Sequence, residues 1–202
     1  LKGFIHPTVE ADDIVQFGSY YALNPHIRPQ VKAFLEYAHG QGAILYYDLN
    51  FRRTYQDRIK ELLPAIHENF RLATVVRGSA DDFEVMYSLR DAEEIYHRHI
   101  APYCPLFLCT CGAENIMLCT PKGSSRFPVP PVRTIGAGDN FNAGFIYGLI
   151  RYGIRRTGLP DLSEAQWEHA VTCGIRFAAN ACASIHNSID EDFGRQMSRK
   201  MP

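Results

Sequence analysis

The sequence has little that would mark a special environment. Its 202 residues hold one Trp and four Met, and 21 Lys and Arg against 22 Asp and Glu leave a formal net charge of −1. No basic footprint for nucleic acid is visible at the level of the whole chain. No apolar run approaches the roughly 20 residues that cross a bilayer as a helix. No signal peptide is read at the start. Neither nucleic acid nor membrane is therefore an expected partner, and a cytoplasmic setting is expected. There are six cysteines, at 104, 109, 111, 119, 173 and 182, and none forms a C-x-x-C pair. Several lie in apolar runs, which favours buried free thiols in a reducing compartment over disulfides or a metal site. Internal repeats and low-complexity segments are also absent.

What is present is an alternation of strand-like and helix-like segments. "DIVQFG", "AILYYDLN" and "ATVVRGS" are apolar runs of strand length. Between them, "RPQVKAFLEYAHGQG" has Pro29 near a helix start and Gly40 and Gly42 as stop signals. "YQDRIKELLPAIHENF" predicts a helix kinked or broken at Pro64. "ADDFEVMYSL" and "DAEEIYHRHIAPY" predict helices, and "PLFLCTCG" and "NIMLCTPKG" two strands that could pair as an edge hairpin. In "GDNFNAGFIYGLIRYG", Phe141, Phe145, Leu149 and Tyr152 fall on one stripe, and Gly144 and Gly148 stand four apart, which allows close packing. A last helix opens with "SEAQ", a capping box of Ser163 and Gln166. Such alternation predicts an α/β fold with a parallel sheet flanked by helices.

Ligands of such sheets bind beyond the carboxyl ends of the strands. Those ends are here Asp48-Leu49-Asn50-Phe51-Arg52, Arg77-Gly78-Ser79 and Thr110-Cys111-Gly112. All are polar or small, as loops commonly are. The turn "RTIGAGDNFNAGF" at 133–145 is more pointed. Gly136, Ala137 and Gly138 allow a backbone to approach a ligand and present its N–H groups, and a helix opening at Asp139 adds its dipole. An acid beside an anion site can take a proton from an attacking hydroxyl. The alternative for Asp139 is a plain helix N-cap.

"TIGAGDNFNAGF" resembles the signature D-T-x-G-A-G-D-x-F-x-x-G-F of the ribokinase-like sugar kinases, the PfkB carbohydrate kinase family. Thr134, Gly136, Ala137, Gly138, Asp139, Phe141, Gly144 and Phe145 match it. "DLNFR" is similar to the family's D-x-N-x-R strand end, "VRGSADDFEVMY" to its N-x-x-E region and "TCGAEN" to its T-x-G-x-x-G turn. The similarity covers about residues 13–185 and is nearest to fructokinase-like bacterial members. It implies a ribokinase-like three-layer α/β/α fold with a mostly parallel central sheet, residues 1–202 forming one incomplete domain. It further implies ATP and Mg2+, a small sugar of the fructose or ribose class as acceptor, and a homodimer when full length. Asp139 would be the catalytic base, and Gly136, Ala137 and Gly138 the anion hole. Thr110, Gly112, Ser79 and Asn180 would lie along the nucleotide, with Arg52 as a phosphate contact. Asp48 and Asn50 would shape the strand end. The other readings are a nucleoside kinase of the same family and a non-catalytic nucleotide- or partner-binding relative.

Several departures bear on these implications. Arg133 replaces the acid that in many members helps hold a monovalent cation, which leaves a K+ requirement doubtful. Ser79 and Asp82 stand for Asn and Glu, and as polar residues are expected still to order water around magnesium. Asn115 replaces a glycine and is expected to tolerate the same positive φ. The opening "LKGFIHPTVEADD" runs straight into a strand, as if in the middle of a larger domain. The chain resembles the C-terminal two-thirds of the family. The N-terminal strands, the sugar-binding Gly-Gly and Asn residues and the β lid are without counterpart.

Overall fold

A computed structural model describes residues 7–112, 114–130, 137–184 and 187–199. The chain divides into two compact units, Leu1–Cys109 with Leu118–Ser124, and Thr110–Met117 with Ser125–Pro202. Six strands stand in the order β1-β2-β3-β4-β5-β6, at Ile14–Gly18, Ile44–Asp48, Val75–Ser79, Phe107–Cys111, Asn115–Thr120 and Gly123–Pro128. The first three pair in parallel, with Gly18 opposite Asp48 and Asp48 opposite Arg77. Helices separate the parallel strands, so the sheet is mostly parallel and covered by helices, as expected.

In the first unit, β2 is buried along its whole length, which is why "ILYYD" reads as a continuous run and not as an alternation. Helix α1 (Arg28–Gly40) starts with Pro29 in its first turn and buries Leu35 and Ala38 against Ala43 and Leu45. Helix α2 (Ile59–Leu72) buries Leu62, Ile66, Asn69 and Phe70. No break occurs at Pro64; the helix runs through it. Pro64 and Lys60 are both exposed. The one hydrogen bond Pro64 removes, to the Lys60 carbonyl, therefore faces water, while the opposite face stays packed. Helix α3 (Ala80–Tyr87) follows β3 directly. The segment read as one helix from Asp91 is a single turn, α4 (Ala92–Ile95), continued by a π turn at Tyr96–Ile100.

Strand β6 was not expected. Its sequence, "GSSRFP", is polar, ends in Pro and is nowhere fully buried. An edge strand needs no apolar face, so hydropathy does not mark it.

The second unit is organised by α5 (Ala137–Arg151) and α6 (Glu164–Ala183). Phe141, Phe145 and Leu149 are buried as the stripe predicts, whereas Tyr152 lies past the helix end and is 39% exposed. The glycines let the two helices touch. A Cβ on Gly144 would stand 2.6 Å from the Cys173 carbonyl, and one on Gly148 would stand 2.9 Å from Ala170 Cα. Gly174 does the same from α6, where a Cβ would meet the Phe141 ring at 2.7 Å. The Ser163–Gln166 capping box is present. Helix α7 (Glu191–Arg199) lays Phe193 and Met197 against Cys173, Phe177 and Tyr147. None of the six cysteines is in a disulfide. Burial pushes the Cys104 thiol up to about 12, an inert thiol of the kind expected.

Candidate functional site

The parallel register of the first unit brings the carboxyl ends of β1, β2 and β3 side by side. There Arg77 Nη1 donates to Asp48 Oδ1 at 2.9 Å, with both side chains 8% exposed. Two charges so far out of water persist only as a pair. The backbone carries the same link, since Leu49 N donates to the Arg77 carbonyl at 2.9 Å and Ser19 N to the Asp48 carbonyl at 3.1 Å. Burial holds the neighbouring Tyr46 hydroxyl protonated. Just beyond, Ser19 and Asn50 take positive φ, of 54° and 39°. Asp48 and Asn50 thus shape the strand end, as the sequence suggests. Arg77, the partner that makes this possible, reads in the sequence only as a strand-end residue. A charge inside the apolar run "VVRGS" was the available signal.

Ser79 and Asp82 form a capping box at the start of α3. Asp82 Oδ2 accepts from Ser79 N at 2.7 Å and from Ser79 Oγ at 2.8 Å, and Asp82 Oδ1 accepts from Phe51 N at 2.9 Å. The Ser79 hydroxyl in turn accepts from Asp82 N at 3.1 Å. Burial raises the Asp82 carboxyl pKa against the opposing pull of the Ser79 hydrogen bonds. With three donors on its two oxygens and 7% exposure, Asp82 is spent on fixing the strand end and the helix start. That does not fit the expected role of ordering a magnesium hydration shell. Among the described residues no cluster of three or more His, Cys, Asp or Glu could hold a metal ion. Arg52 is exposed, in extended backbone just before a 3-10 turn at Arg53–Arg58. A groove of about 760 Å³ along α2 is lined by Arg28, Lys60, Pro64, His67 and Arg71 among others, and by none of the residues expected to form the site.

In the second unit Thr110 is half-buried near the end of β4. Gly112 has φ +64°, a turn conformation that a side chain resists. The positive φ expected at Asn115 is not found there: Asn115 opens β5 and is buried. Helix α5 begins at Ala137, so Asp139 lies in its first turn and is not the residue that caps it. Asp139 is exposed, and among the described residues its carboxylate has no hydrogen-bond or ion-pair partner. Ala137 and Gly138 share that turn, whose N–H groups have no intrahelical acceptors among the described residues. Arg133, Thr134 and Gly136 lie outside the described residues. Asn180 is placed on α6 with its amide committed. Its Nδ2 donates to Asp190 Oδ2 at 2.7 Å, and its Oδ1 accepts from Asp190 N at 2.9 Å. Asp190 in turn caps α7 by accepting from Phe193 N at 2.7 Å. These hydrogen bonds, that from Phe193 foremost, hold the Asp190 carboxyl below its usual range. Asn140 Nδ2 donates to the Asn187 carbonyl at 3.2 Å. Nothing in the sequence pattern singles out Asn140, Asn187 or Asp190.

Residues 4–190 match the model of the pfkB family carbohydrate kinase. The chain is 26% identical over 185 residues to the 5-dehydro-2-deoxygluconokinase of Geobacillus thermodenitrificans, covering 86% of this chain and 52% of that protein. It is 27% identical over 174 residues to the aminoimidazole riboside kinase of Salmonella typhimurium, covering 78% and 48%. Among solved structures it is similar to aminoimidazole riboside kinase from Salmonella enterica, with a TM-score of 0.79 and 21% identity over 96% of this chain and 64% of that one. It is also similar to fructokinase from Vibrio cholerae O395 in fructose, ADP and calcium ion bound form, with a TM-score of 0.74, 23% identity, and 89% and 57% covered. The chain spans about half the length of the curated relatives it matches.

Proposed function

The chain belongs to the pfkB family of carbohydrate kinases, and from that premise we propose that its protein transfers the γ-phosphate of ATP to a hydroxymethyl group of a small sugar. The observation that carries this reading is Asp139: exposed, without a partner among the described residues, and in the first turn of α5 beside Ala137 and Gly138. A carboxylate there can accept a hydroxyl proton, while the helix N–H groups and dipole stabilise charge on the phosphoryl oxygens. The step balances simply. The sugar oxygen bonds to the γ-phosphorus as its proton passes to Asp139. The bond from phosphorus to the bridging oxygen breaks, and ADP leaves with that electron pair.

In this reading Gly136 extends the anion hole, and Thr110 and Gly112 lie along the nucleotide. Magnesium enters with the nucleotide, as MgATP, and neutralises phosphate charge. Ser79 and Asn180 act by holding shape, since their polar groups are engaged with Asp82 and Asp190. A fructose- or ribose-like acceptor is the first choice. A nucleoside acceptor is the second, favoured by the likeness to aminoimidazole riboside kinase. The test is ADP release by the complete protein with MgATP and a panel of sugars and nucleosides. Stimulation by fructose or ribose supports the reading, and stimulation by nucleosides alone moves it to the second acceptor class. No stimulation by any member overturns it.

A further inference from the structure

We infer that Asn140 is a positioning residue for Asp139, acting through the segment 187–190; the inference rests on the kinase reading above. The body of α5 is fixed by its glycine contacts with α6, where Gly144 and Gly148 meet Cys173, Phe177 and Ala170. The first turn lies before those contacts. Phe141 anchors one side of it in the core. On the other side, Asn140 Nδ2 reaches the Asn187 carbonyl at 3.2 Å, 47 positions away in sequence. Asn187 is held in the left-handed region, with φ 54°.

Its segment is anchored again at Asp190, whose backbone N–H and carboxylate both pair with the Asn180 side chain on α6. The contacts therefore close a ring: α5 to α6 through the glycines, α6 to Asp190 through Asn180, and Asn187 back to the first turn through Asn140. A closed ring fixes the rotation of that turn, and with it the direction of the neighbouring Asp139 carboxylate. Proton transfer needs that carboxylate within hydrogen-bond reach of the hydroxyl, and small misplacements are costly.

The experiment compares Asn140→Ala, Asn180→Ala and the double variant in the complete protein. Asn140→Ala should lower kcat roughly tenfold, with KM for ATP and sugar within about twofold, because orientation and not binding is lost. Asn180→Ala should act in the same direction. The double variant should be little worse than the worse single one, since both act through one segment. In hydrogen exchange, residues 137–140 should lose protection in both single variants. A kcat for Asn140→Ala within twofold of wild type, or independent multiplication of the two effects, would overturn the inference. If the wild type shows no acceptor-dependent turnover, the kinase reading falls. Hydrogen exchange then decides the ring alone, and unchanged protection at 137–140 in Asn140→Ala overturns it.

Discussion

Gly144→Ala should destabilise the second unit although alanine is the better helix former. The added Cβ would stand 2.6 Å from the Cys173 carbonyl oxygen and 2.7 Å from both Cβ and Cγ of Phe177. Normal carbon–oxygen contact is well over half an ångström longer, and a backbone carbonyl cannot rotate aside as a side-chain tip can. Overpacking of this kind costs about 1–3 kcal/mol, and a backbone obstacle places it at the upper end. Replacing glycine by alanine inside a helix returns about 1 kcal/mol. The expected net loss is about 2 kcal/mol, or a fall of about 1 M in the urea midpoint for an m-value near 2 kcal/mol/M. The lone tryptophan, Trp167, is the natural probe, because it lies on α6 with its ring stacked on Phe145 of α5 at 6.5 Å. Gly194→Ala is the control. A Cβ there meets nothing within 4 Å, so the helix term stands alone and α7 should gain about 1 kcal/mol. A Gly144→Ala midpoint at or above wild type would refute the steric account of the α5–α6 contact.

Arg77→Met should cost about 3–5 kcal/mol, because it leaves Asp48 buried and charged, and adding Asp48→Asn should recover much of that loss in the same urea assay. A loss no larger than that of an exposed pair such as Arg195–Asp192 would refute the role of the strand-end pair. Stability should also fall in mild acid. Burial, aided by Arg71 at His67 and by Arg98 and His67 at His99, lowers both histidine pKa values against a weaker opposing pull from Glu94 on His99. Their unfolded values near 6.5 lie above the folded ones, so the unfolded chain takes protons first and stability is lost as pH falls through and below 6.5. His99→Phe, which can keep the 3.7 Å stack on Tyr87, should flatten that slope; an unchanged slope would contradict the assignment. Exchanging sodium for potassium at fixed ionic strength should leave turnover unchanged if Arg133 supplies the positive charge, and strong activation by potassium would show that it does not.

The parts of the fold that burial dictates were legible in the sequence. Strands β1 to β3 and helices α1, α2, α5 and α6 each hide an apolar run or stripe, and the caps at Ser163 and Pro29 follow local chemistry. Gly144 and Gly148 announced a close helix contact, but Gly174, their counterpart on α6, carries no periodic signal. Strand β6 was missed because an exposed edge needs no hydrophobic pattern. The motif around Asp139 was readable since its small residues and acid are contiguous. The pairs Asp48–Arg77, Ser79–Asp82 and Asn180–Asp190 were not, because each depends on where a side chain ends. Ser79, Asp82 and Asn180 each accept from a backbone N–H, whereas Asp48 and Arg77 pair through their side chains.

The most direct test of the proposed chemistry is Asp139→Asn in the complete protein, with turnover and nucleotide affinity measured together. The amide is isosteric and uncharged, so folding and ATP binding should be nearly unchanged. Loss of a general base should lower kcat by about two orders of magnitude or more. An Asp139→Asn variant that binds ATP normally and keeps over half of its acceptor-dependent turnover would contradict the assignment of Asp139 as the base.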